Sequence, residues 1–452
     1  MITYSIIQKS QLEGALRLDA EYYQPEYLEI AKILQNTPHK NFNEVISNII
    51  NGAEIREYVE EDGLPYLRVS DIKEFFIDLS SVVHISKESK IKQNIKLREG
   101  DILLSRSGSL GIAAVATPDL SNSVISSHLM RIPVKSIIPY FLVAFLNSKF
   151  GKSQIIQRNN GAVVPEINHP SLRGVLVPIF PEENQKEVED LVKNAYRQIQ
   201  ESNNIYKQAE NLLLEELGLK DFKPEEELSF VINLSDIKSA HRADAEYFQP
   251  KYEKLISKIK NQNAKLLDKI FLIRRGDFIN PNYYVQKAKR GYIRIKELPV
   301  KGDINLDAIT YIDDNFAGQN LETLKEGDFV FAGIGATLGK TARIPKELEG
   351  SFYSNNTVRF RLKNQWMNEL DDYYLQIVFQ SIVCQWQFEQ KQAQTAQAKI
   401  ADEELKSVLI PILPKPTQQK IADLVKKSHE ARKQAKQLLE EAKQKVEKLI
   451  EK

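Results

Sequence analysis

The sequence predicts an α+β fold in which two globular lobes of mixed helix and strand, copies of one another, are joined by two long antiparallel helices. Three features predict it: an internal repeat that runs the length of the chain, short strand-forming runs within each copy, and a long amphipathic helix closing each copy.

Size agrees with this organisation. A chain of 452 residues exceeds one ordinary core, since domains hold about 100–200 residues each. Hydrophobic residues make up 42% and charged residues 27%, and no apolar stretch nears the roughly 20 residues of a membrane span. The start, Met1-Ile-Thr-Tyr-Ser, lacks the basic region and apolar segment of a signal peptide. A cytoplasmic chain without membrane contact is expected. The single cysteine, Cys384, excludes an internal disulfide, and with six scattered histidines it leaves no thiolate cluster for zinc. No metal or cofactor is expected. Net charge is +1, so any affinity for nucleic acid must come from local patches.

The repeat is explicit. Arg17-Leu-Asp-Ala-Glu-Tyr-Tyr-Gln-Pro-Glu-Tyr27 returns as Arg242-Ala-Asp-Ala-Glu-Tyr-Phe-Gln-Pro-Lys-Tyr252. The register continues through Pro65–Val69 with Gly291–Ile295, Leu97-Arg-Glu-Gly-Asp101 with Leu324-Lys-Glu-Gly-Asp328, Ser126–Arg131 with Ser354–Arg359, and Val175–Pro181 with Val408–Pro414. Within each copy, β-branched and aromatic runs broken by Gly, Asn, Asp and Pro read as strands and turns.

The closing helices follow from periodicity. Val188, Val192, Ala195, Ile199, Tyr206, Ala209 and Leu213 form one heptad seam, with Ser202 as its polar exception. The second seam, Ile421, Leu424, Ala431, Ala435, Leu438, Ala442 and Leu449, is interrupted by Ser428 and Lys445. Such a stripe needs a partner, and the short linker favours antiparallel pairing of the two helices as a coiled-coil spacer with a lobe at each end. The expected boundaries are a first lobe at 1–181, a helix at 182–219, a linker at 220–227, a second lobe at 228–414 and a helix at 415–452.

Two pseudo-two-fold readers suit two DNA half-sites. The lobes diverge between their shared anchors, as in Ser70–Ile77 against Lys296–Asp303, so the half-sites should be unlike. The doubled Arg-x-Asp-Ala-Glu-Tyr-(Tyr/Phe)-Gln-Pro-x-Tyr motif, the doubled Leu-(Arg/Lys)-Glu-Gly-Asp turn with a glycine-containing loop after it, and the helix after each lobe together resemble the specificity (S) subunits of type I restriction-modification systems. The resemblance covers almost the whole chain. It implies that each lobe is a target recognition domain and that the chain is not itself an enzyme. The implied partners are double-stranded DNA, two modification subunits and two restriction subunits. S-adenosylmethionine, ATP and magnesium would bind those partners. Two other readings are a specificity subunit whose partner fuses methyltransferase and nuclease, and a coiled-coil scaffold that binds no DNA.

DNA contacts draw on polar and basic side chains in loops. In the first lobe these are Arg56, Arg68, Ser70, Arg106, Ser107, Ser109, His128, Asn159 and Asn160; in the second they are Arg274, Arg275, Asn282, Tyr283, Arg294, Lys296, Lys340, Arg343, Asn355 and Asn356. Arg68 with Arg294, and Arg131 with Arg359, recur at equivalent positions and so suit scaffold or phosphate contact. The aromatic residues of the doubled motif are expected to pack the lobe's first helix against the spacer or a partner subunit. Its carboxylates, Asp19 with Glu21 and Asp244 with Glu246, lack the further carboxylate and lysine of a nuclease metal site. Phe331-Ala-Gly-Ile-Gly335 and Asn280-Pro-Asn-Tyr283 imitate methyltransferase motifs, but the glycine loop falls in a β-rich repeat rather than opening a helix.

Overall fold

The computed structural model describes residues 4–15, 17–59, 63–79, 82–89, 91–161, 163–224, 229–316, 318, 321–393 and 398–452. The chain divides into two compact units, Met1–Gln200 with Arg432–Lys452, and Glu201–Ala431. Among the described residues no helix is long and apolar enough to cross a membrane.

In the first unit a four-stranded antiparallel sheet runs in the order Ile50–Asn51, Leu129–Ile132, Ile102–Ser105, Ala113–Val115. A three-stranded sheet orders Val83–Ile85, Leu64–Leu67 and Val124–Ile125, the last two parallel. The ribbon His39–Asn41 with Leu176–Pro178 completes it. Successive side chains of a strand point to opposite faces, and Ile102–Ser105 uses both. Ile102 and Leu104 enter the core that holds helix Pro139–Asn147, while Leu103 enters a separate core with Leu67, Ile72 and Leu97.

The second unit repeats this topology: Phe271–Arg275, Thr357–Leu362, Phe329–Ala332, Thr341–Arg343 in one sheet, and Ala264–Leu266 with Leu409–Pro411 as the ribbon. Its other sheet gains a strand, in the order Tyr284–Val285, Thr310–Ile312, Arg290–Ile293, Phe352–Tyr353, again with a parallel pair. Phe329 and Phe331 face one core and Val330 and Ala332 another.

The duplication extends to single hydrogen bonds. Tyr66 Oη donates to the Ala53 carbonyl at 2.7 Å, and Tyr292 Oη to that of Asp277 at 2.9 Å. The doubled Glu-Gly-Asp turn has a physical cause: the Asp101 and Asp328 carboxylates accept from the amides of Arg98 and Lys325, each at 2.7 Å. Gly100 and Gly327 adopt φ of 81° and 79°, which only glycine tolerates freely.

The long helices are Glu182–Glu216 and Lys415–Glu451. The first stops three residues short of the expected Leu219. Gly218 turns left-handed (φ 66°), and Leu219 N donates back to the Leu214 carbonyl at 2.6 Å, a glycine-based helix stop. Of the expected linker, 225–227 lie outside the described residues. Each unit contains an antiparallel stretch of both helices. In the first, Val188 and Val192 share a core with Ala442, Val446 and Ile450, and Lys445 pairs with Glu187 at 2.6 Å. In the second, Tyr206, Ala209 and Leu213 share a core with Ile421 and Val425. The expected second seam needs correction: Val425, Val446 and Ile450 are buried, whereas Leu424, Leu438 and Leu449 are half-buried. A straight helix drifts against a strict heptad, so the buried face moves to neighbouring residues.

A loop in each unit fastens sheet to helices. In the first, Glu74 pairs with Lys152 at 2.9 Å and with Lys443 at 3.5 Å, and the Tyr196 hydroxyl donates to the Phe75 carbonyl. In the second, Lys301 pairs with Glu210 at 2.7 Å and Asp303 with His429 at 2.9 Å. The Lys301–Glu210 pair reverses the polarity of the Glu74–Lys443 pair, whereas Asp303–His429 keeps the acidic partner on the loop.

Candidate nucleic-acid interface

The parallel strand pair creates a rim. Because Leu67 lies opposite Ile125 in parallel register, Arg68 and the turn Ser126-Ser-His128 leave the sheet at the same edge. Gly52 presses against this turn; a β-carbon there would stand 2.1 Å from the Ile125 carbonyl oxygen and 2.3 Å from that of Ser126. Two loops join the rim through backbone bonds. Arg106 N donates to the His128 carbonyl (3.0 Å), Ile167 N to that of Arg106 (2.9 Å), Gly108 N to that of Pro165 (3.0 Å) and Asn160 N to that of Glu166 (2.7 Å).

The second unit builds the same frame. Gly276 abuts the carbonyls of Tyr353 and Ser354, where a β-carbon would stand at 2.2 and 2.5 Å. Gly333 N donates to the Asn356 carbonyl (3.1 Å), Ile400 N to that of Gly333 (3.4 Å), Gly335 N to that of Ala398 (2.8 Å) and Ala393 N to that of Lys399 (2.8 Å). Gly108 and Gly335 share positive φ, 78° and 89°.

Arg68 and Arg294 are alike, but around them the side chains on the two frames differ. In the first unit Arg106 forms an ion pair with Glu166, the Ser107 hydroxyl lies 2.6 Å from His128 Nδ1, and His169 Nε2 lies 2.9 Å from Asn51 Oδ1. Burial lowers the His169 pKa, and the charges of Arg106 and Arg173 lower it further, which sets both cross-loop pairs in one electrostatic neighbourhood. In the second unit Gly333 stands for Arg106, Ile334 for Ser107, Asn356 for His128 and Lys399 for Glu166. Arg275 and Asp402, paired at 2.6 Å, stand for Asn51 and His169.

The structure thus brings Arg106, Ser107, Ser109, His128, Asn159 and Asn160 together, and likewise Arg275, Asn355 and Asn356. Asn159 Oδ1 accepts from the amides of Gly161 (3.0 Å) and Glu166 (2.8 Å), so it shapes the loop. Arg68 and Arg294 emerge at the two rims, but each caps a short turn and offsets a buried carboxylate, Asp71 and Glu297 respectively. Ser70 and Lys296 sit exposed on those turns. Arg56 is exposed beside Glu54, and Arg274 pairs with Glu322 at 2.7 Å. Asn282 and Tyr283 lie on a turn apart from the frame, with the Tyr283 ring 4.9 Å from that of Phe316. Lys340 follows the loop of Gly333 and is half-buried. Arg343 is corrected to a structural role: its side chain is 8% exposed, pairs with Asp372 at 2.6 Å and lies over Tyr373. Arg131 and Arg359 are likewise buried, paired with Asp101 at 2.5 Å and with Glu322.

The doubled motif lies behind the rim. Arg17 grips Asp19 through two bonds, 2.6 and 2.7 Å, and donates to the Asn159 carbonyl at 3.0 Å. Arg242 does the same with Asp244 (2.9 and 2.6 Å) and the Gln392 carbonyl (3.0 Å). These bonds hold the Asp19 and Asp244 carboxyls below their ordinary pKa. The aromatic segment packs on helix Lys149–Gln157, with Gln157 Nε2 bound to the Tyr22 carbonyl at 2.9 Å, a neighbour other than the spacer or partner subunit expected for it. The motif is therefore a clamp on the root of the second rim loop.

Glu166, His169, Asn51, Lys399 and Asp402 were not legible as rim residues in the sequence. A signal existed: Ile-x4-Leu-x2-Val, at Ile167, Leu172 and Val175 and again at Ile400, Leu405 and Val408, extends the repeat back across this loop.

Residues 260–444 match the family model of the type I restriction modification DNA specificity domain. The chain is 23% identical over 422 residues to the type I restriction enzyme MjaIX specificity subunit of Methanocaldococcus jannaschii, covering 90% of each. It is 27% identical over 155 residues to the EcoBI specificity subunit of Escherichia coli, a match spanning 34% of this chain and 32% of that one. Among solved structures it is similar to the type I S subunit from M. genitalium, with 12% identity, coverage of 91% and 94%, and a TM-score of 0.39. The HsdS subunit from Thermoanaerobacter tengcongensis aligns with 14% identity, coverage of 91% and 95%, and a TM-score of 0.30. With a specificity-domain match over most of its second half, a first half that repeats the topology of that half, and sequence likeness across nine-tenths of a curated relative, the chain is similar along its length to the specificity subunits of type I restriction-modification systems.

Proposed function

We propose that the chain reads double-stranded DNA at a bipartite, asymmetric site, one half per unit, and docks two modification and two restriction subunits in the cytoplasm. On this reading it has no catalytic site. Its partners supply adenine methylation from S-adenosylmethionine, and cleavage driven with ATP and magnesium.

One observation carries the reading: two rims with the same backbone bonds bear unlike residues, at Asn51 and Arg275, Arg106 and Gly333, Glu166 and Lys399, and His169 and Asp402. Base readers for different half-sites must differ while their supports agree, because base edges specify and the frame only positions.

Fluorescence anisotropy with duplex DNA across a salt series tests DNA binding, which should weaken steeply as salt displaces the protein from phosphates. A flat signal with the modification partner present would favour the scaffold reading. Mapping methylated adenines in the host genome tests the split site. Two unlike half-sites separated by an unspecified spacer are expected, and a continuous palindrome would contradict the proposal.

A further inference from the structure

We propose that each rim carries one guanidinium–carboxylate pair that reads a G·C base pair, and that the two units deliver this pair from non-equivalent positions of the shared frame. The inference rests on the DNA-reading proposal and adds what is read and by which atoms.

The pairs are Arg106 with Glu166 in the first unit and Arg275 with Asp402 in the second. By the repeat, Arg106 corresponds to Gly333 and Arg275 to Asn51. The missing side chain at 333 has a use. A β-carbon there would stand 3.0 Å from Arg275 Nη1, so glycine leaves room for a guanidinium that arrives from the neighbouring strand. Arg275 is steadied in that place by the Ile400 carbonyl at 3.0 Å. A guanidinium therefore lies against the same rim loop in both units, reached from opposite sides of the frame.

All four side chains retain access to solvent, at 23% and 44% for Arg106 and Glu166 and 26% and 49% for Arg275 and Asp402. Arg131 and Asp101, at 5% and 6%, have no such access, and Arg17 with Asp19, though as open at 24% and 40%, lies behind the rim rather than on it. The chemistry of a half-exposed pair matches one base pair. Guanine offers O6 and N7 as acceptors in the major groove and its cytosine offers the N4 amino group as donor. An arginine can donate to the first while the adjacent carboxylate accepts from the second. Holding the arginine on its carboxylate before binding also limits the side-chain entropy lost on contact.

Selection of duplexes from a pool randomised in sequence, using the full chain with its modification partner, tests the assignment. One invariant G·C pair is expected in each half-site. Arg106→Gln and Glu166→Gln should each reduce the preference for it roughly tenfold in one half-site only, and Arg275→Gln and Asp402→Asn should do so in the other. The carboxylate variants are isosteric, and thermal melting checks that each variant folds. Enriched half-sites without an invariant G·C pair would overturn the assignment. So would variants that weaken binding to all sequences alike, the mark of phosphate contact. Failure to enrich any duplex would remove the DNA-reading proposal itself, and this inference with it.

Discussion

The hydroxyls of Ser202 and Ser428 lie 3.0 Å apart, and Ser428 also donates to the Ser202 carbonyl at 2.8 Å. Each serine is a polar break in a mainly apolar helix seam, and both are buried. Replacing one alone strands part of its partner's bonding capacity, whereas replacing both leaves a smaller penalty. Ser202→Ala is expected to cost about 1 kcal/mol in urea unfolding. The Ser202→Ala, Ser428→Ala double variant should cost less than the sum of the single changes. Strict additivity would show that the hydroxyls do not act as a unit.

Gly276 should not accept a side chain. A β-carbon at this position would stand 2.2 and 2.5 Å from two carbonyl oxygens, so Gly276→Ala must displace the turn that starts at Ser354. Overpacking of this kind costs about 1–3 kcal/mol. Calorimetry of Gly276→Ala should show a lower melting temperature, and Gly52→Ala should behave alike because its surroundings are the same.

Arg131 is expected to matter more for stability than any rim arginine. Its guanidinium and the Asp101 carboxylate are both almost fully buried and 2.5 Å apart, and removing one member of such a pair costs about 3–5 kcal/mol. Arg131→Met should lower the unfolding midpoint strongly, while Arg106→Gln, on a half-exposed pair, should leave it within about 1 kcal/mol.

Acid should loosen the clamps formed by the doubled motif. The Asp19 and Asp244 carboxyls are held below their ordinary value near 3.8 by hydrogen bonds from Arg17 and Arg242. A carboxyl with a lowered folded-state pKa contributes stability that is complete above its ordinary value and is lost as pH falls through the lowered one. The melting difference between the natural chain and Asp19→Asn should therefore be constant near neutrality and shrink below about pH 4. Partial exposure of Asp19, at 40%, keeps the effect modest. A difference that grows on acidification would reverse the sign of this linkage.

The sequence carried the architecture because duplication prints every constraint twice. The Glu-Gly-Asp turn, the long seams and the Arg-x-Asp motif all recur where the structure repeats a bond. Ser202 and Ser428 stood out in the sequence as exceptions, but only the fold puts them against each other. The rim was half legible. Arg106, Ser107 and His128 are flagged by residue type in loops, whereas Glu166 and Asp402 become visible only when distant segments meet. Arg343 misled because a basic residue beside a loop looks the same in one dimension whether it faces solvent or Asp372. The reach of a side chain such as Arg275 across Gly333 depends on strand adjacency, which residue spacing does not record.

The rim is held by amide-to-carbonyl bonds, and its outward groups take almost no part in that support. Substitutions at those points can therefore accumulate without the lineage passing through a form that fails to fold. On the DNA-reading proposal, two copies of such a frame in one chain let one half acquire a new preference while the other keeps the old, so the repertoire widens by single steps.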